Sequence, residues 1–249
     1  MLTRSSEPPD AVLRYAAHDD GLVDVHLPAG PSRPRPLVFL VHGGFWRQEY
    51  DRRHVRPMAN ALAAHGYVVA VPEYRRVGGA GGWPVTGEDV DAALRALPRL
   101  LAGTGVDTTT TTLVGHSAGG HLALWLANQP HALERVVALA PVGDLRKAAE
   151  HGMGGGGVVE LLGGTPEQVP DAYDAADPAT RMGTRPDTEV VLVHGAADED
   201  VPVQSSRGLA ARFDWIDYRE LGGAGHFELI DPLSGEWPEV RRAIDGSRD

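Results

Sequence analysis

A serine between glycines lies where the sequence changes abruptly from a strand pattern to a helix pattern. The segment TTLVGHSAGGHLALWLAN (111–128) carries apolar and β-branched residues up to GHSAG (115–119), and a helical pattern follows directly. A Gly-x-Ser-x-Gly turn between a buried strand and a helix is typical of a nucleophile elbow, in which a strained turn presents the serine hydroxyl. The helix N-terminus beneath such a turn favours developing negative charge. The pattern predicts Ser117 as a nucleophile.

A histidine must lie near this serine, because a hydroxyl is a weak nucleophile unless a base takes its proton and a carboxylate orients that base. In sites with this turn, the acid and then the histidine follow the serine in the chain. His226 lies in GGAGHFELIDP (222–232), a glycine-rich loop after the last predicted strand, and is predicted as the base. His121, four residues into the helix after the serine, and His194, at a strand end, are predicted to be structural.

The orienting carboxylate is predicted in the loop VHGAADEDVP (193–202), which follows the fifth buried strand. This loop offers Asp198, Glu199 and Asp200. Asp198 comes first after the turn, where a loop acid at the carboxyl end of a strand would lie, so it is the preferred acid. Asp200 is the alternative.

Acyl transfer through a serine also needs two hydrogen-bond donors for the oxyanion of the tetrahedral intermediate. One is predicted to be the backbone N–H of Ala118, the residue after the nucleophile. The other is predicted in HGGFW (42–46), the loop after the first long strand, where glycines let the backbone approach a substrate oxygen. His42 is expected to hold this loop by hydrogen bonds and to take no part in catalysis.

Strand and helix patterns alternate along the chain that must position these residues. Two edge strands, five buried strands, a short last strand and intervening helices are predicted. The strands are predicted at 11–17, 21–27, 36–44, 66–74, 111–115, 135–141, 189–195 and 215–221, and the helices at 52–65, 88–101, after 117, at 201–213 and at 236–244. This alternation predicts a single α/β domain over residues 1–249, with a mostly parallel sheet covered by helices on both faces.

The segment at about 142–186 interrupts this alternation after the fourth buried strand. It lacks a buried-strand pattern and holds the run GMGGGG (152–157) and several prolines. Because forty-odd residues exceed an ordinary connection, a lid-like insertion is predicted here, with the glycines in a flexible loop. The run is not a dinucleotide-binding fingerprint, since no strand precedes it and its spacing differs.

Composition excludes several classes of partner and site. The formal net charge is −11, which disfavours nucleic acid and anionic membranes as partners. The chain has no cysteine, and it shows no HExxH motif or clustered histidine ligands, so no metal or other cofactor is expected. The opening MLTRSSEPPD has no apolar core of signal-peptide length and no later run approaches a membrane span, so a cytoplasmic location is expected.

Together these motifs resemble the α/β-hydrolase superfamily. Within it they resemble the esterase group that includes hormone-sensitive-lipase-like carboxylesterases, feruloyl/acetyl-xylan-type esterases and the α/β-hydrolase kynurenine formamidases. The resemblance runs from about residue 36 to the end of the chain. It rests on HGGFW, EYRR (73–76), GHSAGG, LLGGTPEQVPDAYDAADP (161–178), GAADEDVP and GHFELIDP.

The resemblance implies the α/β-hydrolase fold and a set of site residues carried over by position. The implied triad is Ser117, Asp198 and His226. The implied oxyanion loop is Gly43, Gly44 and Phe45, with Ala118 as the last donor. Lipase-like members often read HGGG, whereas Phe45 replaces the third glycine here, as in the formamidase-like and feruloyl-type members.

The expected function is that of a serine hydrolase that cleaves a small carboxylic ester, or alternatively an aryl formamide, through an acyl-enzyme. Two other hypotheses are a small peptidase related to the prolyl oligopeptidases and a catalytically inactive hydrolase fold that serves as a binding module. The second is disfavoured because every expected triad position is filled.

Overall fold

The computed structural model of the chain describes residues 6–30 and 35–246, and within them eight strands form one sheet in the order β1-β2-β4-β3-β5-β6-β7-β8. Residues 1–5, part of the segment that bears on the predicted absence of a signal peptide, lie outside this description. The strands are β1 (Ala11–Arg14), β2 (Leu22–His26), β3 (Arg35–Val41), β4 (Val68–Pro72), β5 (Val106–His116), β6 (Leu133–Leu139), β7 (Glu189–Gly195) and β8 (Asp217–Leu221).

The sheet is mostly parallel, as predicted. All pairs from β4 through β3, β5, β6 and β7 to β8 are parallel, whereas β1 and β2 join the β4 edge as antiparallel strands. All five residues of β4, VVAVP, are buried, as expected for a strand covered on both faces. β5 begins earlier than predicted, because Val106 pairs with Arg35 beyond a register shift.

Helices cover both faces of the sheet. The helices are α1 (Arg56–Ala64), α2 (Val85–Leu100), α3 (Ala118–Leu126), α4 (Leu145–Glu150), α5 (Met153–Leu162), α6 (Pro170–Ala176), α7 (Pro178–Arg181), α8 (Gln204–Arg212) and α9 (Trp237–Asp245). Leu37 and Phe39 of β3 belong to one apolar cluster with α2 and α3, whereas Val38 and Leu40 belong to a second with α1 and α9. Within the described residues, no helix combines the length and apolarity needed to cross a bilayer.

The insertion after β6 contains the short helices α4 to α7, which the sequence pattern did not predict. Side chains of these helices are buried in the same apolar cluster as α3, so tertiary packing compensates for their short length. The Asp177 carboxylate also links two of the helices, because it accepts hydrogen bonds from the backbone N–H groups of Leu145 and Ala179.

The parallel strands bring the predicted site residues to one edge of the sheet. The loops after β3, β5, β7 and β8 all leave the carboxyl ends of parallel strands, where open α/β sheets form their binding crevices. These loops carry the HGGFW motif, the serine turn, the acidic segment and the glycine-rich histidine loop.

Candidate active site

The turn predicted at Ser117 forms between β5 and α3. Ser117 has φ 56° and ψ −118°, a backbone conformation that residues with side chains rarely adopt. A Cβ on Gly119 would lie 2.2 Å from the Val41 carbonyl oxygen, and one on Gly115 would lie 2.1 Å from the Gly119 carbonyl oxygen. The structure therefore contains the strand, turn and helix that the pattern predicts, and the two glycines are required by close backbone packing.

Asp198 and His226 are joined by a hydrogen bond across two loops. His226 Nδ1 lies 2.7 Å from Asp198 Oδ2, and the ring nitrogen must donate because a carboxylate only accepts. The second oxygen, Oδ1, accepts the backbone N–H groups of Asp200 and Val201 at 2.9 and 2.8 Å. Both oxygens of Asp198 are thus held, and the proton of His226 is fixed on Nδ1.

His194 adds a further contact to the same carboxylate. Its Nε2 lies 2.9 Å from the Val201 carbonyl oxygen and 3.3 Å from Asp198 Oδ2, while its Nδ1 lies 2.7 Å from Ser206 Oγ. Burial raises the pKa of Asp198, but the hydrogen bonds from His194 and His226 outweigh it and hold that pKa well below its usual range. The carboxylate is therefore ionised near neutral pH, and His194 stabilises its charge through Nε2.

His116 connects the turn to the loop of His226. Its Nε2 donates to the His226 carbonyl oxygen at 3.0 Å, and the two rings lie 4.5 Å apart. Burial, and then the neighbouring His226, lower the pKa of His116 well below its usual range, so its ring stays neutral. Because a carbonyl oxygen only accepts, the one proton of this neutral ring lies on Nε2. His116, the residue before Ser117, is thereby hydrogen-bonded to the backbone of His226.

Ser117 and His226 open into one small pocket of about 90 Å³. Both side chains are almost fully buried, so the pocket is the route by which a small molecule reaches them. The volume is well below the roughly 300–1,000 Å³ of sites that enclose a drug-sized ligand. Aromatic rings, histidines and one exposed carboxylate complete the lining, which consists of Gly44, Phe45, Tyr50, His54, His116, Ser117, Asp200, His226 and Phe227.

The predicted oxyanion loop lies beside the serine. A Cβ on Gly43 would come within 3.0 Å of Ser117 Cβ, and Gly44 and Phe45 line the pocket. Gly44 has φ 105° and Phe45 has φ 48°, so the loop holds two successive residues in the left-handed region. Ala118, the other predicted donor, is the buried first residue of α3. The structure thus places all seven predicted site residues in the serine turn or in the loops that follow β3, β7 and β8.

A buried ion network fixes this loop from behind. His42 Nε2 donates to Glu73 Oε1 at 2.9 Å, and His42 Nδ1 lies 2.9 Å from the Gly43 carbonyl oxygen. Glu73 also accepts from Arg52 and forms an ion pair with Arg76 at 2.6 Å. Burial raises the pKa of Glu73, but His42 and then Arg76 outweigh it and lower that pKa to about 2. These contacts place His42 between Glu73 and the backbone of the HGGFW loop, where it was predicted to hold that loop.

One group near the pocket offers several metal-type ligand atoms. Ligand atoms of Asp198, Asp200 and His226 lie within 4.8 Å of one another. His226 Nδ1 and Asp198 Oδ2 of this group already share a hydrogen bond of 2.7 Å.

Four pocket residues were missed by sequence reasoning. His116 precedes the serine in GHSAG and was within reach of a strand-register argument, but Tyr50, His54 and Phe227 carry no local signal. His54 Nδ1 donates to the Asp51 carbonyl oxygen at 2.7 Å. Burial, and then the nearby His42, lower the pKa of His54 to about 4, so it presents a neutral ring to the pocket.

Comparison with known proteins gives a family and several relatives. The sequence model of the BD-FAE family matches residues 23–213. Esterase LipC of Mycobacterium tuberculosis is 28% identical over 81% of this chain and 55% of its own length. The probable carboxylic ester hydrolase LipM of the same organism is 29% identical over 78% of this chain and 50% of its own length. The chain thus spans about half the length of these curated relatives.

A solved structure shares the fold. Esterase B from Lactobacillus rhamnosis, in a form inhibited by a tributyrin phosphonate, superimposes with a TM-score of 0.78 at 23% identity. The match covers 96% of this chain and 84% of that one. The fold is the α/β-hydrolase fold, as the sequence motifs implied.

His121 generates a prediction about stability. It is fully buried against the Trp46 ring, and its Nε2 donates to the Ala176 carbonyl oxygen at 3.0 Å. Burial lowers the pKa of His121 to about 4, against the opposing effect of this hydrogen bond. A depressed histidine pKa means that the unfolded chain binds a proton that the folded chain excludes, so stability is lost as pH falls from about 6.5 towards about 4.

We therefore expect His121→Gln, which cannot titrate, to weaken the acid sensitivity of the fold. Between pH 7.5 and 5, the free energy of unfolding of the parent is expected to fall by about 2 kcal/mol more than that of the variant. Urea unfolding at the two pH values measures the difference. His65→Gln, at an exposed position, is the control and is expected to behave like the parent. Equal pH dependence in the parent and His121→Gln would contradict the prediction.

Proposed function

The chain belongs to the BD-FAE family, and from that premise we propose that it is a serine hydrolase that cleaves small carboxylic esters through an acyl-enzyme. The observation that carries the proposal is a single pocket lined by both Ser117 and His226, with His226 Nδ1 donating to Asp198 at 2.7 Å. Because the proton of the neutral ring lies on Nδ1, the other nitrogen, Nε2, is free to act as the base.

In the proposed reaction, Ser117 Oγ attacks the carbonyl carbon of the ester while His226 Nε2 takes the hydroxyl proton. The π electrons of the carbonyl move onto its oxygen. The resulting oxyanion accepts hydrogen bonds from the backbone N–H of Ala118 and from backbone N–H groups of the loop Gly43, Gly44 and Phe45. The bond to the leaving alcohol then breaks as His226 returns the proton to the alkoxide. Water, deprotonated by His226, then attacks the acyl carbon, the bond to Ser117 Oγ breaks as His226 returns the proton to that oxygen, and the carboxylic acid leaves.

Asp198 is proposed to hold the tautomer of His226 and to stabilise the imidazolium that forms when the serine proton is taken. Its ionisation near neutral pH, supported by His194 and His226, suits this role. The two backbone N–H groups on Oδ1 restrain the carboxylate in the orientation that faces the ring.

The relatives support an ester as the substrate. LipC is named an esterase and LipM a probable carboxylic ester hydrolase, and esterase B is described as inhibited by a tributyrin phosphonate. Action on an ester is therefore proposed for this chain as well. The cytoplasmic location and the exclusion of nucleic-acid and membrane partners stay predictions.

An aryl formamide is a second candidate substrate. The observation that favours it is the aromatic lining of the pocket by Phe45, Tyr50 and Phe227, against which a flat aryl group could stack. A kcat/KM on N-formylkynurenine that exceeds the values on acetyl and butyryl esters would favour this candidate. Hydrolysis of a dipeptide amide without ester hydrolysis would favour the peptidase hypothesis.

We expect Ser117→Ala to lower kcat on any ester that the parent hydrolyses by about a thousandfold or more, because the nucleophile is lost. The variant is also expected to lose labelling by a fluorophosphonate probe while its thermal unfolding stays cooperative. Ser205→Ala, on α8, is the matched control and is expected to keep both ester hydrolysis and labelling by the probe. Retention of a tenth of parental activity in Ser117→Ala would refute the assignment, and a parent that neither labels nor hydrolyses esters would favour a binding module.

We expect Asp198→Asn to cost more activity than Asp200→Asn, because only the carboxylate bonded to His226 sets the tautomer of the imidazole. The expected losses in kcat are about a thousandfold or more for Asp198→Asn and less than tenfold for Asp200→Asn. Steady-state kinetics on one ester compares the two. If Asp200→Asn is the more damaging change, the acid has been assigned two positions too early.

The size of the pocket predicts the preferred acyl group. A groove that buries each added methylene would gain about 0.8 kcal/mol per carbon, so kcat/KM would rise steadily with acyl length. A pocket of about 90 Å³ stops that rise early, and we expect the highest kcat/KM at four acyl carbons or fewer. A p-nitrophenyl ester series from acetyl to octanoyl measures this. A value that keeps climbing to octanoyl would overturn the prediction.

A further inference from the structure

The glycine run of the insertion adopts a backbone that side chains disfavour. Gly152, Gly154, Gly155 and Gly156 have φ values of 61°, 60°, 62° and 89°, all in the left-handed region. The first turn of α5 is therefore irregular, and the helix becomes regular only beyond these residues. A run of left-handed residues is accessible to glycine with little strain.

The Phe45 ring packs directly on this backbone. A Cβ on Gly154 would lie 2.2 Å from Phe45 Cδ1 and 2.3 Å from Cε1, and a Cβ on Gly157 would lie 3.2 Å from Phe45 Cβ. No side chain at position 154 can coexist with the present position of the ring. The absence of a side chain at Gly154 is thus a condition for where Phe45 lies.

A second contact joins the same two segments. Arg47 donates from its guanidinium to the Gly155 carbonyl oxygen at 3.2 Å, and to both Glu160 carboxylate oxygens at 2.8 and 3.1 Å. Arg47, which follows the HGGFW loop, is thereby linked to the glycine run and to the middle of α5. Trp46, between Phe45 and Arg47, is fully buried and anchors the segment to the core.

Phe45 has the pocket on one side and the glycine run on the other. It lines the pocket together with Ser117, and its backbone is held at φ 48°. The buried Trp46 ring, 6.5 Å away and nearly perpendicular, restricts movement towards the core. The space beside Ser117, which the Phe45 ring already lines, can receive the ring when it is pushed away from Gly154.

We propose that Gly154 is a specificity-determining residue, which sets the room available to the substrate by letting the Phe45 ring lie back against the insertion. This inference rests on the proposed function, because it concerns the pocket in which esters are cleaved. A methyl group at position 154 displaces the ring into a pocket of about 90 Å³. Butyryl esters then lose more than acetyl esters.

The test compares Gly154→Ala with Gly155→Ala. The two positions have φ values of 60° and 62°, so alanine imposes the same backbone cost at both. A Cβ on Gly155 would approach only the Arg47 guanidinium, at 3.8 and 4.0 Å, which is ordinary contact. The pair thus separates collision with Phe45 from backbone strain.

We expect Gly154→Ala to lower the ratio of kcat/KM on p-nitrophenyl butyrate to that on p-nitrophenyl acetate at least about tenfold, and Gly155→Ala to change it less than about twofold. In a Phe45→Ala background, adding Gly154→Ala is expected to leave the ratio unchanged, because the colliding ring is gone. Equal ratios in the two single variants, or an undiminished effect of Gly154→Ala without Phe45, would overturn the proposal.

A folding control and an activity control separate the possible causes of failure. If Gly154→Ala does not fold, the double variant with Phe45→Ala is expected to recover cooperative thermal unfolding, and failure to do so would count against the collision. If the parent itself hydrolyses neither ester and does not react with a fluorophosphonate, the proposed function has failed. If the parent is active but the ratios do not separate, only the assignment of Gly154 has failed.

Discussion

The close packing of backbone at the Ser117 turn is the constraint on which the rest of the site depends. Gly115 and Gly119 let strand β5, helix α3 and the end of β3 meet at distances that leave no room for a Cβ. Gly43 extends the same packing, because a Cβ there would lie 2.8 Å from the His116 carbonyl oxygen. The serine and the HGGFW loop are therefore adjacent by backbone contact, and side-chain flexibility cannot separate them.

A second constraint acts from the opposite side of the loop. Glu73, which follows β4, is buried and ionised, and it accepts a hydrogen bond from His42. The His42 ring in turn stacks on the Tyr74 ring, with centroids 4.3 Å apart. Arg52 bridges Glu73 to Asp24 of β2. Breaking a buried ion pair typically costs about 3–5 kcal/mol, so this network resists rearrangement. The antiparallel edge of the sheet thereby contributes to the rigidity of the loop beside the serine.

Residues with a local sequence signal were predictable, and residues whose position depends on tertiary packing were not. The serine turn and the loop after β7 follow buried strand ends, whereas the loop after β8 follows a short, partly exposed strand. Parallel pairing brings these loops to one edge of the sheet. The helices of the insertion escaped prediction because they are short and interrupted by glycine, and their order comes from packing against α3. The choice between Asp198 and Asp200 also needs geometry, since both lie in one loop but only Asp198 contacts His226.

The insertion contributes to the site by supporting the HGGFW loop from outside the pocket. Phe45 and Trp46 have φ values of 48° and 57°, a strained conformation that persists only where surrounding contacts enforce it. The insertion supplies several of these contacts. Phe45 lies on Gly154, and Trp46 lies against His121, which donates to the Ala176 carbonyl oxygen of α6. The glycine run, whose composition suggested only a flexible loop, is therefore part of what holds the HGGFW loop in its strained form.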